Sequence, residues 1–267
     1  MISVPLGRLA PDSLTLASGE LHVWRSRLDM ASCEQASLEE TLSHDERLRA
    51  ARFRFGKDRD RFVLARGVLR NILGRYLGSD PAQLRFSYGP FGKPVLASEC
   101  NIGDFRFNLS HCQGVALFAF TRTREVGIDL ERMQENMAEE AIAERFFSCT
   151  ELSVLRSFSW NTRREAFLRC WTSKEAYLKA RGEGLRIDLN TFDFSTIAVE
   201  PSCKITDEKS HWLVSTFNPF PNYVAALAAE RDDYQAYLWD WQIGPPTKLN
   251  PIECIQPPRP VVLHKFT

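Results

Sequence analysis

Apolar and polar positions alternate from Leu21 to Leu28 (LHVWRSRL), which predicts a strand. The spacing then lengthens to that of a helix across LEETLSHDERLRAARF, residues 38–53. Between 57 and 77 the helical period is firmest: Phe62, Ala65, Leu69, Ile72, Leu73 and Tyr76 share one face, and Gly78-Ser79 supplies a stop. Gly-Pro, Gly and Lys-Pro punctuation in RFSYGPFGKPVL (85–96) predicts a loop entering a short extended segment. Two alternating strands follow, Phe105/Phe107/Leu109 and then Leu117/Ala119 or Phe118/Phe120, around a turn from Ser110 to Gly114.

After the polar TRTRE the strand VGIDLE begins, helices are predicted at about 137–158 and 162–181, and RGEGL stops the second. FDFSTIAV, HWLVSTF, YVAALAAE and YQAYLWDW read as strands. Residues 244–267 hold six of the fourteen prolines and no period, which predicts an extended tail on the surface. No short-period repeat is present. The pattern predicts an α+β fold of two similar-sized parts, 1–121 and 122–243, followed by the tail 244–267.

A chain of 267 residues with 44% hydrophobic and 25% charged positions has the composition of a folded globular protein. Seven scattered cysteines without a C-x-x-C pair argue against a disulfide framework or zinc knuckle and fit a reducing cytoplasm. The start of the chain shows no export pattern, and no run of eighteen apolar residues occurs, so neither a membrane span nor a membrane partner is expected.

Thirty-four basic residues balance thirty-four acidic ones, so the electrostatic signal is local. Ten bases lie between Arg47 and Arg75 against only Asp58 and Asp60, and nine of the ten are arginine. Such a run is commonly a solvated helix face. Arginine's planar fork, however, suits phosphate oxygens, which favours an anionic partner: a polyphosphate ligand, an acidic protein or nucleic acid. From Glu125 to Glu151 the sign reverses, with eight acids facing Arg132 and Arg145.

Within that acidic stretch Asp129 and Glu131 occupy one phase of VGIDLE, opposite Val126, Ile128 and Leu130, and so lie on one strand face roughly 7 Å apart. They could converge on one ion, or the face could simply be wet. On REAFLRCWTSKEAYLKA (164–180) Phe167, Cys170, Trp171 and Leu178 define an apolar arc, with Lys174 inside it, Glu175 at its edge and Lys179 one turn on. Glu175 and Lys179 could form an ordinary surface pair. Lys174 needs compensating negative charge, which a bound phosphate or a metal-linked carboxylate would supply. Glu175 meeting Asp129 and Glu131 would make a hard-oxygen site suited to Mg²⁺ and to phosphoryl or pyrophosphate chemistry.

FGKPVL (91–96), FNLSHCQG (107–114), VGIDLERM (126–133), FFSCTE (146–151) and WTSKEAYLKARGEGL (171–185), in this order and spacing, resemble the Sfp-type 4′-phosphopantetheinyl transferases. The resemblance implies two α/β halves related by pseudo-twofold symmetry with the active site in the cleft between them. It implies transfer of the phosphopantetheine arm of coenzyme A to a serine of an acyl or peptidyl carrier protein, leaving adenosine 3′,5′-bisphosphate. Carried over by position, Asp129, Glu131 and Glu175 resemble the Mg²⁺ ligands. Lys179 resembles the pyrophosphate lysine, Lys93, Ser110 and His111 the coenzyme A phosphate contacts, and Arg49, Arg61 and the neighbouring Arg66 the 3′-phosphate contacts. Glu151 resembles a glutamate proposed to help deprotonate the carrier serine, and Lys174, by its need for negative charge, is expected to meet the bound phosphates. Glu46 stands where some members have a base, and Cys112 where small residues are usual. The expected protein is a monomer. The rivals are a Mg²⁺-dependent pyrophosphohydrolase and, ranked lower, a nucleic-acid-binding module built on residues 47–75, which lacks interleaved exposed aromatics for base stacking.

Overall fold

The computed structural model describes residues 14–30, 32–101, 103–133, 139–182, 184, 188–207, 210–242 and 247–248. The first part of the chain forms β1 (Glu20–Arg27), α1 (Ser32–Glu40), α2 (His44–Ala50), α3 (Gly56–Leu77), the small hairpin β2 (Phe86–Tyr88) and β3 (Pro94–Leu96), and the hairpin β4 (Phe105–Cys112) and β5 (Val115–Arg122). The second part forms β6 (Val126–Arg132), α4 (Glu139–Phe146), α5 (Cys149–Ser157), α6 (Trp160–Arg181), β7 (Ser202–Thr206), β8 (His211–Phe217), β9 (Tyr223–Glu230), β10 (Gln235–Asp240) and β11 (Thr247–Lys248).

Two sheets carry the fold, in the orders β11-β10-β1-β5-β4 and β6-β9-β8-β7. On the outer face of the first, Leu64, Val68, Leu69, Ile72 and Tyr76 of α3 pack against Trp24, Phe105, Phe107, Phe118 and Phe120. On the second, Phe167, Leu168 and Tyr177 of α6 pack against Trp212, Val214 and Val224. A third core joins the sheets' inner faces: Val23, Leu117 and Ala119 against Ile128, Leu130 and Leu227. Each buried Val, Leu, Ile or Phe among these contributes roughly 1.5–3 kcal/mol. The order is therefore helix, sheet, sheet, helix. Strands buried on both faces explain why GVALFAF reads as a continuous apolar run: its two candidate phases both face cores, on opposite sides. The α+β expectation is met, with one sheet and one 22-residue helix in each lobe.

Several boundaries differ from expectation. The helix read at 38–53 is two helices that break before His44, and the one read at 137–158 breaks before Cys149. Both breaks fall at Ser-x-x-Glu capping boxes, Ser43/Glu46 and Ser148/Glu151, in which the glutamate accepts the serine's backbone N–H. The turn expected from Ser110 to Gly114 is only Gln113-Gly114, both at positive φ, so Ser110 and His111 sit on β4 itself. The division at residue 122 is crossed by the chain: β10 returns to pair in parallel with β1 in the first sheet. Of the tail, Thr247 and Lys248 pair with β10, and the rest lies outside the described residues. No disulfide forms among the six described cysteines. No helix of the described residues is long and apolar enough to cross a membrane.

Candidate active site at the seam of the two sheets

The lobes meet where β4 and β6, each the edge of its sheet, lie side by side. Asn108 accepts the backbone N–H of Ile128 at 2.9 Å, and Ser110 Oγ donates to Asp129 Oδ1 at 3.1 Å. Period-two geometry sends Val126, Ile128 and Leu130 into the core between the sheets and leaves Gly127, Asp129 and Glu131 facing α6. Gly127 lets strand and helix touch backbone to backbone. A Cβ there would enter the envelope of the Ala176 oxygen and the Ala180 nitrogen and stand 3.0 Å from Ala180 Cα.

This approach sets Lys179 of α6 against β6. Its Nζ donates to Asp129 Oδ1 at 2.6 Å, to Ser110 Oγ at 3.0 Å and to the Ile128 carbonyl at 3.4 Å. Glu131 and Glu175 are half-buried beside this group. Burial, then the charge of Asp129, pushes both carboxyls above the ordinary range. No group of three or more His, Cys, Asp or Glu among the described residues is gathered closely enough to hold a metal ion. The donor set nonetheless fits a hard divalent cation. Asp129 Oδ2 is buried without a hydrogen-bond partner, and three mutually repelling carboxylates carry more negative charge than Lys179 neutralises.

A cleft of about 460 Å³ opens from this seam along the first lobe. Glu175, Lys179, Ser110 and His111 line one end, and Lys93, Arg49 and Arg66 line the rest. His111 is exposed at the end of β4. The surrounding protein, then Lys179 and Arg61, pulls its imidazole below the usual histidine range, so the neutral ring is favoured near pH 7. Lys93 spans the lobes, bonding to Glu125 and to the Val126 and Ala180 carbonyls. Arg49 lies over the Phe62 ring. Arg61 lines the neighbouring cavity rather than this cleft.

Two expectations are corrected. Lys174 does not face the cleft: it is fully buried, 2.9 Å from the equally buried Glu151, and donates to the carbonyls of Leu189 and Phe192 at 2.7 Å. The compensation that a buried ammonium demands thus comes from within its own lobe. Glu151 is likewise sealed from any incoming serine, because it accepts the backbone N–H groups of Ser148 and Phe194 as well as Lys174. Sequence reasoning missed the cleft's aromatic and amide lining, Phe62, Tyr88, Phe91 and Asn108. Tyr88, which ends β2, and Phe91, in the Gly- and Pro-punctuated turn after it, are exposed aromatics, a signal of a surface kept apolar for a ligand.

Cys112 donates to Glu131 Oε2 at 3.6 Å, and burial with Glu131 and Asp129 pushes its thiol up to about 11. Iodoacetamide at pH 7.5 is therefore expected to alkylate the exposed Cys33 and Cys149 well before Cys112, as read by peptide mass spectrometry. Early labelling of Cys112 would contradict this environment.

Two family models match the chain in sequence order: "4′-phosphopantetheinyl transferase, N-terminal" over residues 30–122 and "4′-phosphopantetheinyl transferase superfamily" over 125–228. A 4′-phosphopantetheinyl transferase of Nostoc sp., HetI, is 41% identical over 86% of this chain and 96% of its own length. The 4′-phosphopantetheinyl transferase Sfp of Bacillus subtilis is 29% identical over 72% of this chain and 84% of its own. The seam geometry and these matches, which together span both lobes, place the chain in the family of Sfp-type 4′-phosphopantetheinyl transferases.

Proposed function

We propose that this protein transfers the phosphopantetheine arm of coenzyme A to a serine hydroxyl of an acyl or peptidyl carrier protein, releasing adenosine 3′,5′-bisphosphate. The observation that carries the reading is the contact of Lys179 with Asp129 and Ser110 across the seam, with Glu131 beside it and with Glu175, Lys179 and Ser110 lining a cationic cleft. Coenzyme A lies in the cleft with its phosphates toward Lys93, Arg49 and Arg66, and its pyrophosphate toward Lys179 and His111. Asp129, Glu131 and Glu175 would hold Mg²⁺, which when bound neutralises charge growing on the pyrophosphate oxygens. Lys179 meets the oxygen charge that develops as the bond to the leaving bisphosphate lengthens, and neutral His111 donates a hydrogen bond to the same group. The serine proton needs an acceptor. With Glu151 sealed off, the carboxylate that the cleft offers is Glu175, already pushed toward neutrality.

The test is mass spectrometry of apo carrier proteins incubated with coenzyme A and Mg²⁺, where the carrier serine gains the phosphopantetheine mass. Rapid breakdown of coenzyme A without a carrier, and no carrier labelling, would instead indicate a pyrophosphohydrolase. The protein acts as a monomer, since both walls of the cleft come from one chain, and its described cysteines, none in a disulfide, suit a reducing cytoplasm.

Two dependences follow. Protons and a divalent cation compete for Glu131 and Glu175, whose carboxyls burial and Asp129 make weaker acids, so that competition falls above the ordinary carboxylate range. The acid limb of the transfer rate is therefore expected to move to lower pH as Mg²⁺ is raised; a limb that stays fixed would argue against these ligands. Carrier proteins of this reading are acidic, so salt is expected to raise the KM for the carrier more than that for coenzyme A. Equal effects would remove the electrostatic docking.

A further inference from the structure

The two long helices end alike and are anchored alike. Both α3 and α6 have 22 residues and close on a left-handed glycine, Gly78 and Gly182. The fifteenth residue of each is a fully buried cation, Arg70 in α3 and Lys174 in α6. Each cation pairs with the capping-box glutamate of the preceding short helix, Arg70 with Glu46 at 2.6 Å and Lys174 with Glu151 at 2.9 Å. Each also donates to two carbonyls of the 3-10 turn that follows its helix. Arg70 takes the turn's first residue, Pro81, and its C-cap, Leu84; Lys174 takes the first residue, Leu189, and the C-cap, Phe192. Both cations lie over the ring of the phenylalanine two residues past that C-cap, Phe86 at 5.1 Å and Phe194 at 5.5 Å.

The copies differ in charge at position eleven. Position eleven of α6 is Cys170, whereas in α3 it is Arg66, whose Nε lies 2.9 Å from Glu46 Oε1 and whose Nη2 donates to the Tyr88 hydroxyl at 2.6 Å. In the second lobe one buried carboxylate offsets one buried cation. In the first, one carboxylate is shared by two guanidinium groups, which leaves this triad one positive charge in excess. The arginine that carries the excess lines the cleft. A buried charge left over at a cavity wall is costly unless an anion meets it.

We infer that the glutamate-cation anchor is one packing device used twice, and that in the first lobe Glu46 is additionally a positioning residue, holding Arg66 with Tyr88 against the cleft so that its spare charge meets a phosphate of coenzyme A. Glu151 and Lys174 are the device in its bare form and take neither proton nor phosphate. The ligand's identity rests on the transferase reading above; the equivalence of the two anchors does not.

Glu46→Gln and Glu151→Gln test this as a pair. Glu46→Gln removes the counter-charge of two buried guanidinium groups, one of which faces the cleft, and Glu151→Gln that of one buried ammonium, so each is expected to lower Tm, on the order of 10 °C. Only Glu46→Gln is expected to raise the KM for coenzyme A, about tenfold with kcat within about twofold, while Glu151→Gln leaves KM, kcat and the pH profile of kcat unmoved. Equal KM effects, an acid limb lost in Glu151→Gln, or an unequal fall in Tm with only one variant affected would overturn the inference. Conservative variants cover the case in which the glutamine forms do not fold. Arg66→Lys is expected to keep Tm and raise the KM; Lys174→Arg, which copies the first lobe's cation into the second, is expected to keep Tm, KM and kcat. An unchanged KM in Arg66→Lys, or a tenfold loss of kcat in Lys174→Arg, counts against it. If the parent protein shows no turnover with coenzyme A and any carrier, the transferase reading fails while the Tm comparison still decides whether the anchors are equivalent.

Discussion

Gly127→Ala is expected to be the most damaging single-methyl change in the protein. The added carbon has no flexible side chain to displace: what it meets is the carbonyl of Ala176 and the backbone of Ala180, both inside an intact helix. Overpacking of a core ordinarily costs about 1–3 kcal/mol, and a clash with rigid backbone lies at or beyond the upper end. Either α6 moves off β6 or β6 bends, and both separate Lys179 from Asp129. The variant is expected to melt well below the parent and, where still folded, to lose carrier labelling by about 10²-fold, because small misplacements of reacting groups have effects of that size. Thermal melts and labelling kinetics of the same preparation check this; parental values for both would show that the helix is not seated on that glycine.

Asp129→Asn is expected to have the largest effect on activity with the smallest effect on the fold. The amide keeps the shape of the carboxylate and can still accept from Lys179 and Ser110. It removes the negative charge that links the seam to a cation and leaves the lysine without a counter-charge. Lys179 is 30% exposed and Asp129 7%, and removing one of three mutually repelling carboxylates offsets part of the lost pair, so stability changes little. Loss of one electrostatic element of a transition-state site typically costs 10²–10³-fold, and the transfer rate is expected to fall by about 10³-fold. Labelling of an apo carrier at the parental rate, with the same dependence on Mg²⁺, would remove Asp129 from the site.

Much of the fold was legible because hydrophobic period reports burial directly. The 57–77 helix and the VGIDLE strand fall where the pattern puts them, and the apolar phase of VGIDLE, Val126, Ile128 and Leu130, is in the core as its alternation predicts. The pattern failed where polar atoms decide. Ser43 and Ser148 stop one helix and start another without changing the apolar period, although each Ser-x-x-Glu signature stood in the sequence. Glu151 departs from the role the resemblance implies for the same reason: a glutamate three residues after a serine has a backbone partner at hand. Lys174 showed the complementary limit. Its place inside the apolar arc announced a buried charge that needed a partner, but no spacing rule links it to a carboxylate 23 residues earlier. The return of β10 to β1 was equally hidden, since parallel pairing across more than two hundred residues leaves no local trace.

That return has a consequence for synthesis. Without β10, β1 is an open edge whose unpaired backbone groups invite other strands, and its buried flank, including Trp24 stacked on Trp239, is uncovered. The first-made lobe therefore stays incomplete on the ribosome until residue 240 has emerged, long after its own helices and hairpins are available. A nascent chain arrested before β10 should bind chaperones and be cut readily by proteases, however well its second sheet has formed.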